Sequence, residues 1–155
     1  MSLKEELMNE QVSHLDLSGF CEIASGTAVR QALAAMRQNK TNVCLITTNN
    51  TLQGILTERD VLTKVATTPE RLDAPVDDIM TANPITVTPD SSAADALWLM
   101  DDKKFRNLPV VSQEGQILGN MTHQAVISYL AARYPVEVLN RPPRPGQFPQ
   151  KQEGG

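Results

Sequence analysis

Residues 54–60 of this chain are Gly54-Ile55-Leu56-Thr57-Glu58-Arg59-Asp60, an apolar segment that continues directly into a charged one. The apolar start predicts the end of a strand, and the polar continuation predicts the first turn of a helix. A related stretch, Gly119-Asn120-Met121-Thr122-His123-Gln124-Ala125, follows 65 residues later. The same strand-to-helix junction is therefore predicted twice.

The elements around the two junctions recur in the same order. In the first half we predict strands at 20–23, 43–47 and 52–56, and helices that begin near Val29 and at Glu58. In the second half we predict strands at 85–87, 108–111 and 116–121, and helices that begin near Pro89 and at His123. Five matching elements in one order indicate an internal β-α-β-β-α repeat.

These elements divide the chain into five parts. We predict an N-terminal helix over 1–12, a first repeat over 13–68, a linker over 69–81 and a second repeat over 82–134. Residues 135–155 hold five of the ten prolines, which predicts a mostly irregular tail. Such a tail is either a solvated segment or a contact for a protein partner.

Charge and composition exclude several classes of protein. A formal charge of −4 argues against a nucleic-acid protein that depends on phosphate neutralisation. Two cysteines without a CxxC spacing favour a reduced, cytoplasmic chain. No apolar run approaches the roughly 18 residues of a spanning helix, so we expect no membrane segment.

The first junction has two interpretations. Thr57 and Asp60 match a capping box, in which the hydroxyl and the carboxylate satisfy N–H groups at the start of a helix. The same carboxylate could instead accept from the two adjacent hydroxyls of a ribose. Arg59 lies close enough to pair with a phosphate, and the helix N-terminus attracts one. The pair alone does not decide between these interpretations.

Four segments together resemble a tandem pair of cystathionine-β-synthase (CBS) domains, a Bateman module, over about residues 12–133. They are the 54–60 junction, Val76-Asp77-Asp78-Ile79-Met80-Thr81, Asn83-Pro84-Ile85-Thr86-Val87-Thr88-Pro89-Asp90, and Phe105-Arg106-Asn107-Leu108-Pro109-Val110-Val111. The resemblance implies an α+β fold of two β-α-β-β-α repeats packed about a pseudo-two-fold axis. It also implies a homodimer and an adenosine ligand, which is AMP, ADP, ATP or S-adenosylmethionine.

Carried onto this chain, the resemblance implies that Asp60 binds the ribose and that Thr57 lies near the sugar and phosphate. Arg59 stands beside them. The base pocket and its rim would come from the other repeat, through Ile85, Thr86, Arg106, Asn107 and Leu108. Structural interpretations stand beside these roles: core packing for Ile85 and Leu108, an ordinary strand position for Thr86, and a solvated rim charge for Arg106.

The second junction departs from the pattern because Ala125 replaces the aspartate. Thr122 is then expected to be only a helix cap. The pocket facing it would be formed by Cys21, Glu22, Thr41 and Asn42, and the acid Glu22 is a poor neighbour for a phosphate. We therefore predict one competent site and one degenerate site.

Catalysis is not expected. His14 and His123 are the only histidines, and neither forms a metal-ligand spacing with cysteines or carboxylates. No P-loop or dinucleotide-binding glycine pattern is present. We predict a regulatory module that senses energy or metabolite state and needs no cofactor or metal. The alternative is a structural CBS pair without a ligand, which acts through dimerisation or through its tail.

Overall fold

The structure is a computed structural model that describes residues 3–133, with side chains from Glu5 onward. The elements follow the chain as α1 (Leu3–Asn9), β1 (Cys21–Ala24), α2 (Val29–Gln38), β2 (Val43–Thr48), β3 (Thr51–Thr57), α3 (Glu58–Val65), β4 (Thr81–Ala82), α4 (Ala93–Lys103), β5 (Asn107–Val111), β6 (Ile117–Thr122) and α5 (His123–Arg133). Short 3-10 turns lie at Val12–His14, Pro69–Asp73 and Val76–Asp78. The mixed α+β fold of two repeats is confirmed.

The two repeats build similar sheets. Strands β1 to β4 form one sheet in that order, with β1 and β2 parallel and the other neighbours antiparallel. The second sheet pairs β5 with β6, and single bridges extend it at both edges, from Val87 to Val110 and from Ser18 to Asn120. Each repeat therefore presents a central hairpin with a strand or a bridge on either side.

The prediction of a strand at 85–87 is wrong, because only Val87 forms a bridge there, with Val110. Val87 donates to the Pro109 carbonyl at 3.0 Å, and Val111 donates to the Val87 carbonyl at 2.9 Å. One parallel step earlier, residue 109 would have to donate to Ile85. Proline has no N–H, so that bond cannot form and the pairing does not extend.

Two helix limits also differ from the predictions. The N-terminal helix ends at Asn9 and is followed by the turn at Val12–His14. Helix α4 begins at Ala93 and not near Pro89, because Ser92 is its cap and accepts from the Asp95 N–H at 3.0 Å. The chain thus turns once more before the helix starts.

The segment before each repeat packs on the other repeat. Val12 donates to the Ser91 carbonyl at 2.9 Å, and Ala93 donates to the Glu10 carbonyl at 2.7 Å. The equivalent bonds, in which one residue lies 64 positions later and the other 64 positions earlier, run from Val76 to Thr27 at 2.7 Å and from Val29 to Ala74 at 2.9 Å. This reciprocal exchange is what a pseudo-two-fold arrangement requires.

The N-terminal segment and the linker, which each pack on the other repeat and are called the exchanged segments below, contribute to two hydrophobic cores. The first is built from β1 to β3, α2 and α3, and it includes the linker residues Val76 and Ile79. The second is built from α4, β5, β6 and α5, and it includes Leu7, Val12 and Leu15 from the N-terminal segment. The exchanged segments therefore tie the two repeats into one body and fix the junctions between them.

Candidate functional site

The first junction forms a complete capping box. Thr57 Oγ1 accepts from the Asp60 N–H at 3.2 Å, and Asp60 Oδ2 accepts from the Thr57 N–H at 3.0 Å. The Thr57 hydroxyl also donates to Asp60 Oδ2 at 3.1 Å. These bonds satisfy N–H groups at the start of α3 and hold both side chains in one orientation.

Asp60 retains acceptor capacity beyond the cap. A carboxylate offers about four lone-pair positions on its two oxygens, and the cap uses only Oδ2. Asp60 Oδ1 lies 3.6 Å from Nζ of Lys64, and the Asp60 side chain is still 19% exposed. Asp60 can therefore cap α3 and also accept from two adjacent hydroxyls.

A cavity of about 660 Å³ opens beside this junction. Its wall comes from both repeats and the linker, through residues in the segments 55–62, 81–85 and 104–109, together with Asn42. Small-ligand pockets commonly have volumes of about 300–1,000 Å³. The cavity is thus large enough for a nucleotide, with the β3–α3 junction on one side and the start of β5 on the other.

Six of the eight predicted site residues lie on the cavity wall: Thr57, Arg59, Asp60, Ile85, Arg106 and Asn107. Thr86 and Leu108 do not. Leu108 is fully buried in the second core, and Thr86 is half-buried beside Ile85. The structure places Leu108 behind the wall, as support for β5, and its assignment as a ligand contact stays a prediction.

The prediction missed several wall residues, among them Lys104, Phe105 and Asn83. Lys104 and Phe105 directly precede Arg106, so their nearness in sequence was an available signal. Asn42 was assigned to the opposite pocket but lines this cavity. The Glu58 N–H donates to the Asn42 carbonyl at 2.9 Å, which brings the start of β2 beside the junction.

The wall carries three cations, Arg59, Lys104 and Arg106, and two carboxylates, Glu58 and Asp60. Among residues 3–133, none of the three cationic side chains makes an ion pair or a hydrogen bond. Asp60 in contrast is engaged by Thr57 and Lys64. Glu58, like the three cations, is unpaired within residues 3–133, so three uncompensated positive groups face one negative group at the cavity.

One wall residue is held by a buried neighbour. Asn120, which is fully buried, donates from Nδ2 to Asn107 Oδ1 and to the Gly19 carbonyl, both at 3.1 Å. Since both partners are oxygens, the Asn120 amide group has only one favourable orientation. Asn107 is left with its amide N–H groups to offer to a ligand.

The second junction keeps the cap but loses the carboxylate. Thr122 Oγ1 accepts from the Ala125 N–H at 2.9 Å, and the His123 N–H donates to the Arg106 carbonyl at 3.3 Å. On the facing side, Cys21 is buried in the first core and Glu22 points outward into solvent. The backbone of this junction repeats the first one, but its chemistry does not.

Residues 3–133 show neither an activated cysteine nor a group of side chains that could bind a metal ion. Burial, together with the adjacent Cys21, raises the pKa of the Cys44 thiol, which disfavours a reactive thiolate. Over residues 3–133, no group of three or more His, Cys, Asp or Glu side chains could hold a metal ion. No helix within that range is long and apolar enough to cross a membrane.

Comparisons with known proteins agree with the geometry. The family model described as "CBS domain" matches residues 5–67 and 76–132. The CBS domain-containing protein CBSCBSPB3 of Arabidopsis thaliana is 41% identical over 109 residues, which cover 69% of this chain and 19% of that protein. The chain spans about a fifth of the length of the Arabidopsis relatives it matches.

Solved structures share the fold. The CBS domain pair of protein MJ0100, solved in complex with 5′-methylthioadenosine and S-adenosyl-L-methionine, superposes with a TM-score of 0.71 at 21% identity. That match covers 79% of this chain and 97% of the other. CBSX2 in complex with AMP superposes with a TM-score of 0.69 at 24% identity, over 80% of this chain and 98% of the other.

Proposed function

This chain belongs to the CBS domain family, and we propose that it is a regulatory module that binds an adenosine compound at one competent site. The candidate ligands are AMP, ADP, ATP and S-adenosylmethionine. The observation that carries the proposal is Asp60, which is fixed by the capping box on a cavity wall with Oδ1 still able to accept. Two hydroxyls of a ribose match such an acceptor.

The opposite wall suits the rest of the ligand. Ile85 and the half-buried Phe105 offer apolar surface for a base, and Asn107 offers amide donors. Arg106 on this wall and Arg59 at the junction supply positive charge for a phosphate. Apolar walls with a few convergent polar groups are typical of small-molecule sites. Relatives of this fold have been solved with adenosine compounds, which supports the same ligand class here.

A single competent site follows from Ala125. Without a carboxylate, the second junction cannot accept from the ribose hydroxyls, and each charge-assisted bond contributes about 1.5–3 kcal/mol. We infer a stoichiometry of one ligand per chain. We also infer that the chain is not an enzyme, and that it transmits a ligand-dependent change of shape to its dimer or to a partner. Such a change requires a ligand that favours one shape over the other.

The test is a calorimetric titration of the four candidate ligands against the wild-type chain, Asp60→Ala and Asp95→Ala. Asp95 is the matched control, because it also stands in the first turn of a capped helix but lies away from the cavity. We expect binding with one site per chain, an affinity loss of about 100-fold or more in Asp60→Ala, and no change in Asp95→Ala. If none of the four ligands binds, or if Asp60→Ala binds equally well, the proposal fails.

A homodimer is the second part of the proposal. Leu62 on α3 and Ile127 on α5 are 63% and 57% exposed, and they occupy equivalent positions 65 residues apart. Large apolar side chains exposed at two symmetry-related places favour a surface that a second copy covers. Light scattering should give a dimer for the wild type and a monomer for a Leu62→Glu, Ile127→Glu variant. A monomeric wild type would contradict it.

The alternative function, an interaction module without a ligand, is favoured by one observation. The capping box explains Thr57 and Asp60 without any ligand. Failure of the titration together with a stable dimer would support that alternative. The Pro-rich tail at 135–155 lies outside the described residues, and its role as a partner contact stays a prediction.

A further inference from the structure

We propose that Lys104 is a specificity-determining residue, which selects nucleotides that carry two or more phosphate groups. The inference rests on the proposed function, since it assigns the ligand class of the same cavity. Three observations carry it: the backbone conformation of Lys104, its position on the cavity wall, and the charge of the equivalent residues in the other half of the molecule.

Lys104 occupies a backbone conformation that a lysine does not favour. It ends α4 with φ 60° and ψ 34°, in the left-handed region, and the following Phe105 N–H donates to the Met100 carbonyl at 2.8 Å. This is the helix-ending turn in which glycine is preferred, because any Cβ is crowded there. A side chain kept at a strained position in a cavity wall is a candidate for function.

Lys40 is the matched residue of the first repeat. It ends the α2 turn with φ 54°, and the next N–H, that of Thr41, donates to the Met36 carbonyl at 3.0 Å. Both lysines are exposed, but Lys104 is on the wall of the cavity and Lys40 is not. The two lysines therefore share the backbone strain and differ in position relative to the cavity.

The residues around the two lysines differ in charge. Lys104 shares its cavity with Arg59 and Arg106, and no described residue pairs with any of the three. Three positions of the other half match Arg59, Lys104 and Arg106 in sequence. They hold Gln124, Lys40 and Asn42, so only one of the three is charged.

In the described part of the chain, the three unpaired cations outnumber the one unpaired carboxylate of the wall, Glu58, so the cavity is net positive and disfavours the cationic S-adenosylmethionine. Concentrated positive charge at a partly enclosed site attracts an anion in proportion to its charge. The expected order of affinity is therefore ATP and ADP above AMP, with S-adenosylmethionine weakest.

The experiment titrates ATP, ADP, AMP and S-adenosylmethionine, without divalent cations, against the wild type, Lys104→Gly, Lys104→Arg and Lys40→Gly. We expect Lys104→Gly to weaken ATP binding about tenfold and AMP binding by less than about threefold. Lys104→Arg should retain the wild-type order, and Lys40→Gly should bind like the wild type. Added salt should weaken ATP binding more in the wild type than in Lys104→Gly.

Melting temperatures control for folding. Both glycine variants should melt at or above the wild-type temperature, because glycine relieves the left-handed strain. ATP binding that is unchanged in Lys104→Gly, or S-adenosylmethionine binding as tight as ATP binding, would overturn the inference. If AMP binds in an Asp60-dependent manner without any gain from further phosphates, only this inference falls. If no adenosine compound binds, both it and the proposed function fall.

Discussion

The two strand-to-helix junctions share a backbone and differ in their chemistry. In both, a threonine hydroxyl accepts from the N–H three residues on, at 3.2 Å for Thr57 and 2.9 Å for Thr122. In both, the first N–H of the helix donates to a carbonyl just before the neighbouring strand, that of Asn42 or of Arg106. The carboxylate, however, is present only at the first junction.

The difference separates what the fold needs from what a ligand needs. A helix that starts directly after a strand needs a cap, and threonine supplies one in both repeats. Arg59 and Asp60 are not needed for that, since Gln124 and Ala125 replace them without changing the backbone bonds. The residues that differ between the junctions are thus the ones to test for binding.

The largest effect on stability is expected from alanine at the two equivalent glycines, Gly54 and Gly119. Each is covered by a side chain of an exchanged segment, so an added Cβ would lie closer than 3.0 Å to Met80 or to Leu17. Met80 presents the end of a flexible side chain, whereas Leu17 presents its Cβ and, at 3.1 Å, its carbonyl oxygen. We expect Gly119→Ala to lower the free energy of unfolding by about 3 kcal/mol and Gly54→Ala by about 1 kcal/mol.

Urea denaturation of the two variants measures this difference. Gly26→Ala is not a suitable control, because Gly26 has a φ of 88° and alanine would be strained there for another reason. Equal losses in the two variants would mean that Met80 and Leu17 resist the added Cβ to the same extent. The packing over Gly54 and over Gly119 would then be equivalent in the two repeats.

Local patterns predicted the elements that depend on local bonds. Helix α5 begins at His123 as predicted, because threonine capping and apolar spacing are both visible in the sequence. The missing strand at 85–87 could not be predicted in the same way, since its cause is Pro109 on another strand. The exchange of segments between repeats also depends on long-range pairing, such as that of Val12 with Ser91.

The candidate site was predictable for similar reasons. Thr57 and Asp60 are three residues apart, so the predicted start of the helix was enough to place them together. Asn42 and Lys104 line the cavity because of how the repeats meet. Local periodicity predicts neither the contact of β2 with the junction nor the left-handed backbone of Lys104. Leu108 illustrates the opposite case, because a residue adjacent to the wall in sequence is fully buried behind it.

A smaller effect is expected from completing the second junction. In Ala125→Asp the new carboxylate can accept from the Thr122 N–H, as Asp60 accepts from Thr57. We expect the free energy of unfolding to rise by about 0.5–1 kcal/mol, since the second half of a capping box is gained. Calorimetry should still give one nucleotide per chain, because Gln124 stands where the first junction has Arg59 and supplies no positive charge. A second binding event would show that the carboxylate alone determines competence.

The smallest expected effect is the response to acid of the clasp that joins the N-terminal segment to α5. Glu10 accepts from the Tyr129 hydroxyl at 2.7 Å and contacts His14 Nδ1. The hydrogen bonds from Tyr129 and then from His14 lower the pKa of Glu10 below its ordinary value of 4.5. A carboxyl with a lowered folded pKa contributes stability above its unfolded pKa, and that contribution is lost as pH falls through the folded value.

The contribution of Glu10 to the clasp is therefore expected to be lost as pH falls below about 4.5. Urea midpoints measured from pH 6 to pH 3 should fall less steeply in Glu10→Gln than in the wild type. Asp77→Asn is the matched variant of the first repeat, because Asp77 accepts from Ser25 and from the Gly26 N–H and its pKa is also lowered. If Glu10→Gln follows the wild-type pH profile while Asp77→Asn flattens it, acid acts first on the linker contact and not on the clasp.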